Sequence, residues 1–184
     1  DTTSSIITNY LQNFTGKTIR ILDIGCGSCT SIINFNKLIQ PNLKAHFYGC
    51  DIYPNVLVEG IHNLQKQTNI LPQLLICNGE ELPYFDNQFD IVINFGSINQ
   101  FKNIKKGLHE MVRVVKPNGL CMCRDEHYKS DSMTEFEKKY FSFIKSETIP
   151  TDKIPYSLIK NAQINYLNKI HFLLSFTKQY IKDI

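Results

Sequence analysis

Short apolar runs rich in β-branched residues alternate along this chain with stretches whose apolar residues recur at helical spacing. That alternation constrains the fold more than any other feature. Residues 19–24 end at Gly25 and read as a buried strand running into a tight turn. Residues 30–39 then place Ile32, Ile33, Phe35, Leu38 and Ile39 on a helix that Pro41 stops. A strand over 45–51, a helix over 54–67 with Pro54 in its first turn, and strands over 74–78 and 89–95 follow. Next come a helix over 104–115, a Lys116-Pro117-Asn118-Gly119 turn and a fifth strand over 120–123. Elements in this order, joined by short links, predict an α/β domain with a mostly parallel sheet covered by helices on both faces.

After Arg124 the pattern changes. Residues 125–160 are charged and aromatic, with a helix expected over 132–145 and a turn between Pro150 and Pro155. This insert reads either as a lid over a substrate or as an extra helix packed on the sheet. Two closing strands are expected over 163–167 and 171–177. Residues 1–184 suit one domain, able to bury roughly 70% of its unfolded surface without a disulfide or metal staple. With 42% hydrophobic and 20% charged residues, collagen-like, disordered and disulfide-scaffold classes are excluded.

No apolar run approaches the ~18–20 residues of a membrane span, and no basic-then-apolar leader opens the chain, so a soluble, cytoplasmic protein is expected. The chain opens with Asp1 rather than Met, as a trimmed or partial chain does, and its short lead into the first strand predicts an incomplete N-terminal cap. Residues 1–101 carry a charge of −3 and residues 102–184 a charge of +6. The lysines of the second part are scattered, as on solvated helix faces, which makes nucleic acid the less favoured partner. The six cysteines lie mostly in or beside strand-like runs, where free thiols act as small hydrophobes in a reducing compartment. Cys26-x-x-Cys29 and Cys121-x-Cys123 have metal or redox spacing, but a glycine loop explains the first pair better, and no metal site is expected.

That loop, Leu22-Asp23-Ile24-Gly25-Cys26-Gly27-Ser28-Cys29, is the sharpest local signal. A strand that turns on glycines into a helix brings backbone N–H groups close to a ligand. Asp51 ends the second strand 24 residues after Gly27, which sets a carboxylate beside the first strand's tip. A tight turn, a helix cap before Pro54 and an ordinary turn residue at Asn78 are the plainer explanations of these positions. All of them would have to fall by accident at the carboxyl ends of consecutive strands.

The run from Ile21 to Gly27 resembles the first motif of class I S-adenosylmethionine-dependent methyltransferases. Asp51 looks like that family's ribose acid. Asn78-Gly79-Glu80-Glu81-Leu82-Pro83-Tyr84, then Phe89-Asp90-Ile91-Val92, is similar to its adenine-edge segment and fourth strand, and Lys116 to Leu120 to the turn before its fifth. The chain departs from the family at Cys29, where a third glycine is usual, and at Asn78, where Asp is common. The resemblance covers residues 18–124 and implies a doubly wound seven-stranded sheet of order 3-2-1-4-5-7-6 with the seventh strand antiparallel.

It further implies S-adenosyl-L-methionine as cofactor and methyl transfer to a small-molecule acceptor at O, N or C. Gly25, Cys26 and Gly27 would admit the methionine and ribose portions, and Asp23 would hold the loop near the amino end. Asp51 would accept from the ribose hydroxyls, Ile52 would pack on adenine, and Asn78 and the Gly79 N–H would meet its edge. Asn94, Phe95 and Gly96 would border the methyl group. A general base is needed only where the acceptor must lose a proton. The candidates are Asn99, Gln100, Asp125, Glu126, His127 and Tyr128, with His127 best suited by its ordinary pKa. An RNA or protein methyltransferase and a non-catalytic cofactor-binding scaffold are the alternatives. A nicotinamide dehydrogenase is disfavoured, because Thr30 stands where its later glycine belongs.

Overall fold

The computed structural model describes residues 2–14, 17–126, 153–168 and 171–179. The helix expected over 132–145 and residues 127–152 of the insert lie outside them. β1 (Thr18–Ile24) is buried at five of its seven positions, and such a run suits a central strand flanked on both sides. It pairs in parallel with β2 (Lys44–Asp51) and β4 (Phe89–Phe95). β3 (Gln73–Ile76) joins outside β2, and β5 (Val115–Glu126) outside β4. The chain then returns through β6 (Ile159–Tyr166) and β7 (His171–Lys178), with β7 antiparallel to both β5 and β6. The sheet has seven strands in the order β3-β2-β1-β4-β5-β7-β6, as the resemblance implied.

Two apolar layers cover the sheet. On one face α2 (Thr30–Asn36), α3 (Pro54–Gln67) and α1 (Thr2–Leu11) pack against Ile19, Ile21, Ile91, Ile93 and Met122. On the other, α4 (Ile104–Val114) lays Leu108, Met111 and Val112 against Leu22, Val92, Cys121 and Phe176. No helix among the described residues is long and apolar enough to cross a membrane.

β3 stops at Ile76 rather than 78, β5 runs on to Glu126, and the chain departs from the sequence expectations in four further places. α2 stops at Asn36, because the chain tightens into i→i−3 hydrogen bonds at Leu38 and Ile39 (2.9 and 3.2 Å) ahead of Pro41, whose ring disfavours helical geometry at Gln40. The Lys116–Gly119 segment is an excursion inside β5. Val115 pairs with Phe89 and Leu120 with Ile91, so the intervening residues bulge with Asn118 at φ 62°, and the Tyr10 hydroxyl donates to the Asn118 carbonyl (3.0 Å). β6 begins at Ile159 rather than at 163, and the bulge at Asn161 (φ 54°) breaks the alternation that would have marked its first residues. α1 had no counterpart in the expectations, although Thr3, Ile7 and Leu11 recur every four residues as its buried stripe.

Ile93 is fully buried in β4. Ile93→Val is expected to cost about 0.5–1.5 kcal/mol through the lost methyl, while Val58→Ala at a half-exposed site costs less. Urea unfolding checks this: the Ile93→Val midpoint should fall further with the slope unchanged.

Candidate functional site

The carboxyl ends of β1, β2, β3 and β4 surround one cavity of about 570 Å³, within the ~300–1,000 Å³ usual for small-molecule sites. Its floor is the loop between β1 and α2. Gly25 (φ 66°) and Gly27 (φ 50°) both take the left-handed conformation that glycine allows freely. A β-carbon at Gly25 would also overlap the Ser97 hydroxyl and sit 2.8 Å from its Cβ, so this position needs glycine twice over. The loop is tied to β2: the Cys26 N–H donates to the Cys50 carbonyl (2.9 Å) and the Gly27 N–H to Asp51 Oδ2 (3.0 Å). Asp51 Oδ1 accepts from the Tyr53 N–H (2.9 Å) at the start of α3.

Of the residues singled out in the sequence, Gly25, Cys26, Gly27, Asp51, Ile52, Asn78, Gly79, Phe95 and Gly96 line this cavity. Asp23 and Asn94 do not. Asn94 is fully buried behind the wall, where its amide donates to the Ile24 carbonyl (3.1 Å) and to Ser97 Oγ (2.8 Å). Asp23 is buried beneath the glycine loop, and neither of its carboxylate oxygens has a hydrogen-bond partner. Burial pushes its pKa well above the usual carboxylate range, and Cys29 and Asp51 nearby act in the same direction. Cys26 and Cys29 lie close together, and their proximity with burial pushes the Cys26 thiol up, while the Cys29 thiol donates to the Gly27 carbonyl (3.9 Å). Among the described residues no group of three or more His, Cys, Asp or Glu is placed to hold a metal.

The base candidates divide differently. Asp125 accepts from the Asn99 N–H (3.0 Å) and the Glu126 N–H (2.8 Å), and the Asn99 amide donates to the Glu126 carbonyl (2.9 Å), so these side chains brace the loop after β4. Gln100 lines the cavity. His127 and Tyr128 lie outside the described residues. Sequence reasoning missed Ser97, Phe101 and Lys102, which close the cavity from that same loop. The Phe101 ring is wedged between two glycines. A β-carbon at Gly79 would stand 2.6 Å from its Cζ, and one at Gly107, on α4, would overlap its Cδ2.

A family model for a methyltransferase domain matches residues 15–171. The chain belongs to the methyltransferase domain family. Its seven-stranded order is that of the class I, S-adenosylmethionine-dependent members. It is similar to a demethylmenaquinone methyltransferase of Bacillus mycoides, 32% identical over 127 residues, which are 68% of this chain and 52% of that protein. A probable tRNA methyltransferase 9B of Homo sapiens is 29% identical over 139 residues, 70% of this chain and 28% of that one. Among solved structures, the YcgJ protein of Bacillus subtilis shares the fold with a TM-score of 0.71 at 13% identity, covering 97% of this chain and 99% of that one. The chain spans about half the length of the demethylmenaquinone methyltransferase it matches.

The residues present fit this family's cofactor. Left-handed turns at Gly25 and Gly27 bring bare backbone to the cavity floor, a carboxylate stands at the end of β2, and an unpartnered buried carboxyl lies under the loop.

Two outcomes follow from this geometry. Gly107→Ala would gain up to about 1 kcal/mol from helix propensity, but the clash with Phe101 costs about 1–3 kcal/mol. The variant is therefore expected to be less stable, and a double-mutant cycle with Phe101→Leu should recover most of the loss; additive effects would contradict the wedge. Asp23 holds its proton in the folded state to higher pH than in the unfolded chain. Its contribution to stability is thus fully present below the usual carboxylate pKa and declines as pH rises toward the raised one. Asp23→Asn should flatten that decline in urea midpoints measured from pH 4 to 8, and an unchanged profile would refute the assignment.

Proposed function

We propose that this methyltransferase domain moves the methyl group of S-adenosylmethionine to a small-molecule acceptor, at O, N or C, by in-line displacement. The observation that carries the reading is the cavity at the carboxyl ends of β1 and β2, with the Gly25–Gly27 loop and the Asp51 carboxylate on its wall. The demethylmenaquinone methyltransferase relative supports a small acceptor. The cofactor supplies an activated methyl on a sulfonium, so the protein's task is alignment and exclusion of water.

Each residue would act through a feature already described. Gly25, Cys26 and Gly27 let the backbone approach the methionine and ribose portions. Asp51 offers each oxygen's second lone pair to the ribose hydroxyls, beside the loop N–H it already holds. Ile52, half exposed at the rim, packs on adenine. The Asn78 amide and Gly79 N–H meet the adenine edge, with Phe101 behind them. Asp23 lies toward the amino end, and Phe95 and Gly96 border the methyl group, backed by Asn94. A cytoplasmic setting is supported by six free thiols. The human relative and the basic second part of the chain favour RNA as the second reading.

Calorimetric titration with S-adenosylmethionine, S-adenosylhomocysteine and NAD tests the proposal. The first two are expected to bind and NAD to fail, and Asp51→Ala should weaken binding by about tenfold or more through the lost charged hydrogen bonds. A folded chain that binds neither S-adenosyl compound would sink it. RNA binding that falls steeply with salt, with no transfer to small molecules, would favour the second reading.

A further inference from the structure

We propose that Arg124 is the specificity-determining residue for the acceptor, and that the acceptor carries an anionic group, a carboxylate or a phosphate. The inference rests on the methyl-transfer reading and names the substrate class of that same site. Across the sheet the cavity begins at β3 and β2, with Asn78 and Ile52, and ends at β4, with Phe95 and Gly96. β5 runs along that end. Arg124 is in register with Phe95, and the Gly96 N–H donates to the Arg124 carbonyl (2.7 Å), which fixes the arginine on the strand beside that end of the cavity.

The side chain is half-buried, and its guanidinium lies over the Phe95 ring, 5.0 Å from the centroid. Stacking uses the face of the guanidinium and leaves its in-plane N–H donors for another partner. Among the described residues no carboxylate pairs with it. Asp125 projects to the opposite face by strand alternation, with its oxygens on the Asn99 and Glu126 N–H groups. Glu126 shares Arg124's face, stands opposite His171 on β7, and makes no ion pair with the guanidinium. Asp23, on the Phe95 side of the sheet, is buried under the glycine loop. At the far end of the cavity Glu80 accepts from the Lys102 N–H (2.7 Å), so an acid and the Lys102 cation stand there together, while Arg124 stands on β5 next to the other end.

A half-buried charge is unfavourable without a partner, and the planar guanidinium fork fits a carboxylate or phosphate with two parallel hydrogen bonds. An anionic acceptor would pair with the guanidinium donors, whereas a neutral one leaves them unmatched.

Calorimetric titration of the S-adenosylhomocysteine-loaded chain with benzoate, phenyl phosphate and neutral benzamide tests this. At least one anion is expected to saturate, with benzamide about tenfold weaker or undetectable. Arg124→Gln should erase that preference while S-adenosylhomocysteine still binds, and Arg124→Lys should keep part of it. Equal binding of benzamide, no anion binding by the loaded wild type, or an undiminished preference in Arg124→Gln would overturn the proposal. The wild-type comparison needs no variant to fold. A wild-type chain that fails to bind S-adenosylhomocysteine would instead remove the methyl-transfer reading, and this inference with it.

Discussion

The Asp51 carboxylate is the contact on which the cavity depends. One oxygen accepts from the Gly27 N–H and the other from the Tyr53 N–H, so a single side chain joins the β1–α2 loop to the start of α3. Hydrogen bonds to a charged acceptor contribute about 1.5–3 kcal/mol each, more than neutral pairs do. The left-handed conformations at Gly25 and Gly27 turn the loop, and the carboxylate decides where it stops. The Cys26 N–H to Cys50 carbonyl bond continues the β1–β2 pairing two residues past Ile24, so the loop leaves the sheet as an extension of it.

The opposite wall is held from a distance. Residues 80–88 form no regular element, yet they are fastened to α4 through Arg113, which donates to the Leu82 and Tyr84 carbonyls (2.9 and 2.8 Å) and pairs with Glu110 and Asp86. Glu110 in turn accepts from the Leu82 N–H (2.7 Å). Phe101 supplies the apolar counterpart, lodged where Gly79 and Gly107 carry no side chain. α4 therefore packs the core with one stripe and, with the residues beside it, holds the segment that follows Glu80 on the cavity wall.

The parts legible in the sequence are those whose signal is local. β4 and α3 occupy the spans expected of them, because an unbroken β-branched run and a proline-started helical stripe each announce their own ends. Gly25, Gly27 and Asp51 were readable for the same reason: strand-end glycines and a strand-end acid declare their position without the rest of the fold. Ser97, Phe101 and Lys102 were not, since only the parallel pairing of β4 beside β1 brings their loop to the cavity, and nothing in the run Ser97 to Lys102 encodes that. Asn94 lies between these cases. Strand alternation sets Asn94 and Phe95 on opposite faces, so only one of the two can look into the cavity, and that signal was available.

Cys29 shows how a departure from a motif is accommodated. It occupies the place where a third glycine is usual, and it adopts φ 60°, a conformation that costs a non-glycine residue roughly 1–2 kcal/mol. What offsets the strain lies 31 residues further along. Gly60 on α3 carries no side chain where a β-carbon would come within 2.6 Å of the Cys29 sulfur, and the thiol fills that space, fully buried. Asn63, one turn further along α3, donates to the Ser28 carbonyl (3.2 Å) and holds the same loop. The loop backbone needs the same glycine, since a β-carbon at Gly60 would also stand 2.9 Å from the Gly27 carbonyl oxygen. The side chain the loop gained then becomes a packing contact between α2 and α3, and the backbone path around the cavity keeps its left-handed turn at this position.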